Sequence, residues 1–153
     1  MTREINSFQN THNNLVEVRD LTKHYPVRSG LMRRVTAWVQ AVDNVSFVIK
    51  HGETLGLVGE SGCGKTTVGR TMLRLIQPTR GEIYFEGINI LNLRGKELKR
   101  MRRNVQVVFQ DPYASLDPRI PVGESIGEGL KIHRIATPKE RQDIIVQSLR
   151  SVG

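Results

Sequence analysis

The sequence predicts an α/β fold, and three observations support this. A short apolar run at 54–58 leads through a glycine-rich loop into 66–76, where Val68, Met72 and Leu75 recur at helical spacing. A second apolar run, 105–109, is typical of a strand buried in a parallel sheet. Segments 15–25 and 39–49 have strand composition, and 82–85 and 88–90 flank a turn. We therefore expect buried parallel strands together with antiparallel ones.

The N-terminal half gives these elements in order. Residues 1–14 are polar and predict a frayed lead before the first strand, 15–25. A basic, glycine-containing connection is expected at 26–35, followed by a strand at 39–49 with Val45, Phe47 and Ile49 on one face. Pro78 is expected to end the helix of 66–76. The dipeptide Glu86-Gly87 predicts a hairpin turn.

Three helices are expected in the C-terminal half. The first is the basic segment 95–104, and the second follows Pro121, with Val122, Ile126 and Leu130 on one stripe. The third begins at a capping box of Thr137 and Glu140, with Pro138 at its first helical position. This last helix is expected to bury three apolar residues, Ile145, Leu149 and Val152.

The loop after the first apolar run carries Gly59, Gly64, Lys65 and Thr66 at the spacing of the Walker A pattern. Glycines let consecutive backbone N–H groups point inward, and the following helix adds the positive end of its dipole. Lys65 can reach the outer phosphates of a nucleotide, and the Thr66 hydroxyl can hold Mg²⁺. The sequence therefore predicts a nucleoside triphosphate site that also includes Glu60, Ser61, Gly62, Cys63 and Thr67.

Composition sets the class of protein. The chain has 153 residues, 38% hydrophobic and 25% charged, which is typical of one soluble globular domain. No apolar run approaches the roughly 20 residues that span a bilayer. Cys63 is the only cysteine, so an intrachain disulfide is excluded and a cytosolic location is expected. Cys63 itself is interpreted as a small side chain in a crowded loop.

The formal charge of +8 is concentrated in two clusters, one near Arg28, Arg33 and Arg34 and one on the predicted helix 95–104. A solvated helical face is the favoured interpretation of the second cluster, and a binding surface is the alternative. Trp38 is interpreted as a packing residue.

Four segments resemble the ATP-binding subunits of ABC transporters, and among them the oligopeptide/dipeptide importer group. They are 21–25 (LTKHY), 41–47 (AVDNVSF), 59–67 (GESGCGKTT) and 107–119 (VVFQDPYASLDPR). The likeness runs from about residue 15 to the end, and the last segment is the most specific. The resemblance implies a P-loop NTPase fold of the ABC ATPase type.

The resemblance also assigns roles to single residues. Tyr25 matches the aromatic residue that stacks on adenine, although a sheet-packing role is the alternative. Gln110 matches the glutamine that contacts Mg²⁺ and senses the γ-phosphate. Lys65 and Gln110 are thus the implied catalytic residues, and the family's catalytic glutamate does not occur in these 153 residues. Residues 111–119 resemble the region that touches the membrane subunit.

The implied domain organisation is incomplete. We expect a lead at 1–14, an antiparallel β subdomain with part of the nucleotide-binding core at 15–119, and the start of a helical subdomain at 120–153. The family's Leu-Ser-Gly-Gly-Gln signature, its Walker B carboxylates and its switch histidine do not occur in these 153 residues. We therefore expect roughly the first half of an ATP-binding subunit, and no ATPase activity from this chain alone.

The implied partners are ATP, membrane-spanning permease subunits, a second ATP-binding subunit and, indirectly, an extracytoplasmic solute-binding protein. The implied location is peripheral, on the cytoplasmic face of the inner membrane. The alternative is a nucleotide-dependent module that acts on nucleic acid through its basic surface, but no aromatic residues are interleaved with either cluster, so nucleic acid is not the expected partner.

Overall fold

A computed structural model describes residues 13–30, 33–111 and 115–153. The elements are β1 (Asn14–Ser29), β2 (Arg34–Lys50), α1 (Lys65–Met72), β3 (Arg80–Phe85), β4 (Ile88–Asn89), α2 (Gly95–Asn104), α3 (Val122–Ile132) and α4 (Pro138–Val152). The chain divides between Met101 and Arg102 into two compact units. The predicted domain boundary at 119–120 stays a prediction.

The first unit is built on an antiparallel sheet with the strand order β2-β1-β3-β4. Its core contains the fully buried Val18, Leu21, Ile83 and Ile90. The predicted turn between β3 and β4 is confirmed, since Glu86 and Gly87 have φ of 49° and 76°. Positive φ at both central residues is the geometry that matches the twist of a tight hairpin.

The hairpin of β1 and β2 is longer than the sequence predicts. Residues 26–35 were expected to form a connection, but strand pairing continues as far as Ser29 and Arg34. Pro26 has no N–H to donate. It is tolerated in β1 because β1 pairs with β3 only as far as Thr22, so at Pro26 the edge of β1 that faces away from β2 forms no ladder hydrogen bonds. The packing role expected of Trp38 is wrong, because this residue pairs with Pro26 and is 59% exposed.

Helix α1 ends earlier than predicted. It stops at Met72, and Arg74 follows in the left-handed region with φ 53°. The Arg74 guanidinium donates hydrogen bonds to the carbonyl oxygens of Ile90 and Leu93, which tie the turn after α1 to the segment 90–93. Pro78 therefore does not end the helix, and Leu75 is exposed rather than on its buried face.

The two predicted buried parallel strands are wrong. Within the described residues, 54–58 and 105–109 pair with no strand, and Val58 and Val108 are 90% and 96% exposed. A parallel strand is stable only with hydrogen-bonded neighbours and a covering layer on each face. The described part of the chain supplies neither for these two runs.

The predicted helices of the C-terminal half are present. The segment 95–104 forms α2 with the expected bounds and buries Met101. The capping box is confirmed, because Glu140 accepts from the Thr137 N–H and hydroxyl, both at 2.7 Å, while the Glu140 N–H donates to the Thr137 hydroxyl.

Helix α4 buries less than predicted. Ile145 packs against Gly123 of α3 and is half-buried. Leu149 and Val152 are exposed, and within the second unit α4 packs on α3. None of the described helices has the length and apolar composition needed to cross a bilayer.

Candidate phosphate-binding site

The glycine-rich loop joins the exposed run 54–58 to the first turn of α1. The Cys63 N–H donates to the Glu60 carbonyl at 3.3 Å and closes a turn within the loop. Gly62 and Gly64 have φ of 83° and 98°, in the region where a residue with a Cβ is strained. The loop can therefore turn sharply enough for its N–H groups to converge on an anion.

Gly64 is also the point where this loop meets the sheet. A Cβ at Gly64 would overlap the Ala41 carbonyl oxygen and lie 3.6 Å from Val42 Cγ2. Ala41 is the extra residue of a β-bulge, because Lys23 pairs with Val42 and His24 with Gln40. The loop thus packs on the bulge of β2 at Gly64. The sequence pattern did not reveal this contact because Gly64 and Ala41 are distant in the chain.

The start of α1 suits a negatively charged ligand. Its N-cap, Gly64, provides no side-chain hydrogen bond, and the first turn contains no acidic residue. The backbone N–H groups and the positive end of the dipole therefore face the loop. Val68 and Thr71 are buried and fix the helix below the loop, with the Thr71 hydroxyl donating to the Thr67 carbonyl at 2.6 Å.

The Lys65 ammonium lies over this loop. Its Nζ donates to the carbonyl oxygens of Gly59 and Glu60 at 2.7 and 2.6 Å, and lies 3.4 Å from Cys63 Sγ. Thr66 is exposed at the second residue of α1. A nucleotide phosphate fits this arrangement of one cation, a helix N-terminus and glycines, and the Thr66 hydroxyl is the hard oxygen donor that Mg²⁺ prefers.

Tyr25 lies on β1 beside the same bulge. It pairs with Val39, and its neighbour His24 pairs with Gln40, the residue before Ala41. Tyr25 is 36% exposed, which is compatible with a ring that offers a face to a ligand. The structure thus brings the predicted adenine residue and the phosphate loop to the base of one hairpin.

Lys23 is a feature of this site that the sequence reasoning missed. Its Nζ lies 4.9 Å from the centroid of the Tyr25 ring, a cation–π contact. The spacing of Lys23 and Tyr25 could have predicted this contact, because residues i and i+2 of a strand point to the same face.

Gln110 belongs to the second unit and is exposed. Of the segment expected to touch a membrane subunit, 112–114 lie outside the described residues. Asp117 and Arg119 form an ion pair, with Nη2 2.8 Å from Oδ2 and Nε 3.0 Å from Oδ1. The side-chain hydrogen bonds from Arg119, followed by the one from its backbone N–H, lower the pKa of Asp117. The roles of Gln110 and of this segment stay predictions.

Comparison with known proteins gives consistent results. The family model described as "ABC transporter" matches residues 42–153, well over half of the chain. The oligopeptide transport ATP-binding protein AppF of Bacillus subtilis is 50% identical over 140 residues, which are 91% of this chain and 43% of that protein. The glutathione import ATP-binding protein GsiA of Pectobacterium atrosepticum is 48% identical over 91% of this chain and 22% of its own length.

Solved structures show the same fold. The ATP-binding cassette MJ0796, in a post-hydrolysis state bound to ADP and Pi, superposes with a TM-score of 0.68 and 28% identity. That match covers 88% of this chain and 56% of the cassette. The architecture is thus part of an α/β P-loop NTPase of the ABC ATPase type, and the chain spans less than half the length of the curated relatives it matches.

Proposed function

The chain belongs to the ABC transporter family, and from this membership we propose that it is the ATP-binding, energy-coupling part of an importer of oligopeptides, dipeptides or related solutes. The observation that carries the nucleotide part is the Lys65 ammonium, held over a glycine-rich loop at an uncapped helix N-terminus. The peptide part is supported by relatives whose names describe oligopeptide and peptide import.

We propose that the triphosphate lies in the loop 59–67. Backbone N–H groups of the loop and the first turn of α1 donate to it, and Lys65 adds a charge-assisted hydrogen bond. Tyr25 then stacks on the adenine, with Lys23 on the same strand face. The Ala41 bulge sets the separation between these two subsites.

The Thr66 hydroxyl and Gln110 are the residues that we propose hold Mg²⁺, which neutralises phosphate charge when bound. Gln110 then reports on the γ-phosphate to the segment 111–119. The proposed partners of that segment are membrane-spanning permease subunits, with a second ATP-binding subunit completing each nucleotide site and an extracytoplasmic solute-binding protein delivering the solute. The proposed location is the cytoplasmic face of the inner membrane.

A titration with a fluorescent ATP analogue tests the nucleotide site. Lys65→Ala removes a hydrogen bond from a charged donor, worth roughly 1.5–3 kcal/mol, so we expect affinity to fall by about 10- to 100-fold. Lys99→Ala, which removes an exposed lysine of α2, is the matched control and should leave affinity unchanged. Equal affinity of the parent and Lys65→Ala would contradict the site.

Solute import is tested with a fusion of this chain to the remainder of the Bacillus subtilis relative, expressed in Bacillus subtilis cells that lack that relative. The fusion should restore uptake of a labelled tetrapeptide, and the same fusion carrying Lys65→Ala should not, while uptake of a labelled free amino acid stays the same. A fusion that binds and hydrolyses ATP without restoring peptide uptake would reject the importer assignment and leave the nucleotide site intact.

A further inference from the structure

The outer part of the β1–β2 hairpin has no role in the nucleotide site. Every described residue of 26–30 and 33–39, here called the hairpin arm, is exposed. The arm extends past Thr22, the last residue of β1 that pairs with β3, so beyond this point it is a ribbon of two strands.

The arm combines large apolar side chains with positive charge. Its exposed apolar residues include Val27, Val35, Trp38 and Val39. Its arginines are Arg28, Arg33 and Arg34, and the sequence has no Asp or Glu between residues 21 and 42. Exposed valines next to tryptophan are unusual on a surface that only water contacts.

The pairing register sorts these side chains into faces. Pro26 pairs with Trp38 and Arg28 with Val35, and directly paired residues project from the same face of a ribbon. Pro26 and Arg28 are two apart on β1 and share a face. Thr36 is the extra residue of a bulge in β2, so Val35 lies on the same face as Trp38 although the two are three residues apart. That face therefore presents an interfacial aromatic ring, an aliphatic group and a cation to one partner.

We propose that the hairpin arm binds an anionic phospholipid surface. Tryptophan prefers the headgroup region, aliphatic side chains gain by entering the acyl boundary, and arginines are attracted to anionic headgroups. A single-stranded nucleic acid would need aromatic platforms along its length, whereas three of the four large apolar residues exposed on the described part of the arm are valines. This proposal does not depend on the nucleotide site.

Trp38 allows a direct test, because it is the only tryptophan of the chain. The full 153-residue protein is mixed with vesicles of phosphatidylcholine and phosphatidylglycerol, or of phosphatidylcholine alone, and both sedimentation and tryptophan emission are recorded. We expect binding to the anionic vesicles with a shift of Trp38 emission to shorter wavelength. Binding should weaken as salt is added, because screening acts on the arginines.

Variants separate the arm from the general charge of +8. Arg28→Gln/Arg34→Gln should lower partitioning by roughly 25-fold, since each basic residue near an anionic surface contributes about fivefold. Lys96→Gln/Lys99→Gln, which removes the same charge from exposed positions of α2, should lower it much less. Val35→Ser keeps the charge and should reduce the emission shift.

Three results would overturn the proposal. One is equal loss of binding by the two double variants, and another is vesicle binding without any shift of Trp38 emission. The third is tight binding of a single-stranded oligonucleotide that depends on Arg28 and Arg34 while vesicles are not bound. Because ATP affinity is measured separately, none of these results bears on the proposed nucleotide site.

Discussion

The Lys65 side chain is already ordered by the loop that surrounds it. Its ammonium donates to the Gly59 and Glu60 carbonyl oxygens at 2.7 and 2.6 Å, and more weakly to Cys63 Sγ at 3.4 Å. A free lysine side chain loses roughly 2 kcal/mol of rotamer entropy when it is fixed. Since the loop already fixes the side chain, a phosphate oxygen that replaces the weak contact with Cys63 Sγ gains more of the charge-assisted hydrogen bond.

Tyr25 is the residue on which the adenine proposal depends. Tyr25→Ala should reduce ATP affinity by about 1–3 kcal/mol, the range for stacking of a base on an aromatic ring. Tyr25→Phe should have little effect because it keeps the ring, and with it the cation–π contact of Lys23. The measurement is the same titration with a fluorescent ATP analogue.

The Phe variant is the decisive control for Tyr25. A loss as large as that of the Ala variant would show that the hydroxyl is the contact and that stacking is wrong. Unfolding curves of both variants check that β1 keeps its pairing with Val39.

The phosphate loop could be predicted at residue scale because its chemistry is local. Lys65, Thr66 and the glycines are fixed by spacing alone, and the structure places them at the start of α1. The Ala41 contact could not be predicted, because it depends on a bulge that shifts the β1–β2 register. Non-local pairing of this kind leaves no periodic signal in the sequence.

At the scale of elements, the junction of α1 and β2 rests on Gly64. Gly62→Ala should destabilise the fold by at most about 1–2 kcal/mol, the cost of a left-handed backbone with a Cβ, since nothing lies near its added atom. Gly64→Ala has the same backbone cost and also overlaps the Ala41 carbonyl, so it should destabilise more. Urea unfolding of the two variants and the parent measures the difference.

The comparison between the two glycines isolates the contact from the backbone conformation. If Gly64→Ala is no less stable than Gly62→Ala, the loop does not rest on β2 as described. ATP titration of the more stable variant then shows whether loop shape alone affects binding.

The capping box of α4 is expected to make the stability of this helix depend on pH. The hydrogen bonds that Glu140 accepts from the Thr137 hydroxyl and N–H favour its ionised form and lower its pKa. A lowered native pKa contributes stability that is complete above the unfolded value and disappears as the pH falls through the native value. Helix α4 should therefore fray at its N-terminus in acid.

Carbon NMR of the Glu140 carboxyl group measures this pKa directly. We expect a value below that of an ordinary glutamate, and a return toward the ordinary value in Thr137→Ala, which removes the hydroxyl donor. An unchanged pKa in Thr137→Ala would show that the side chain of Thr137 does not hold Glu140.

Elements determined by residues close together in the chain were predicted better than strands, which need neighbouring strands to pair with. The Glu86-Gly87 turn, the Thr137 capping box and helix α2 are all determined by residues within a few positions of each other. The runs 54–58 and 105–109 were predicted as buried strands from composition alone. Burial is a property of neighbours, and a short apolar run does not say whether those neighbours exist.

At the scale of the whole molecule, the exposed apolar runs and the missing motifs have one consequence. Val58, Val108 and their apolar neighbours present surface that monomeric proteins rarely leave uncovered. The 153 residues also lack the carboxylates and the signature loop that complete a nucleotide site in the family they belong to. We therefore expect the isolated chain to associate with itself and to bind nucleotide only weakly.

The same reasoning predicts that the 153-residue chain does not hydrolyse ATP. Phosphoryl transfer needs an oriented water and a complete electrostatic cage, of which Lys65, Thr66 and Gln110 supply only a part. Phosphate release by the purified chain should equal that of Lys65→Ala, which controls for a contaminating ATPase.

Fusing Gly153 to the remainder of the Bacillus subtilis relative, which is 50% identical over the shared part, should restore solubility and turnover. Turnover by the unfused chain that disappears in Lys65→Ala would mean that a catalytic base lies within these residues. A soluble fusion that binds ATP without hydrolysing it would show that these 153 residues do not provide the electrostatic contacts expected of Lys65, Thr66 and Gln110.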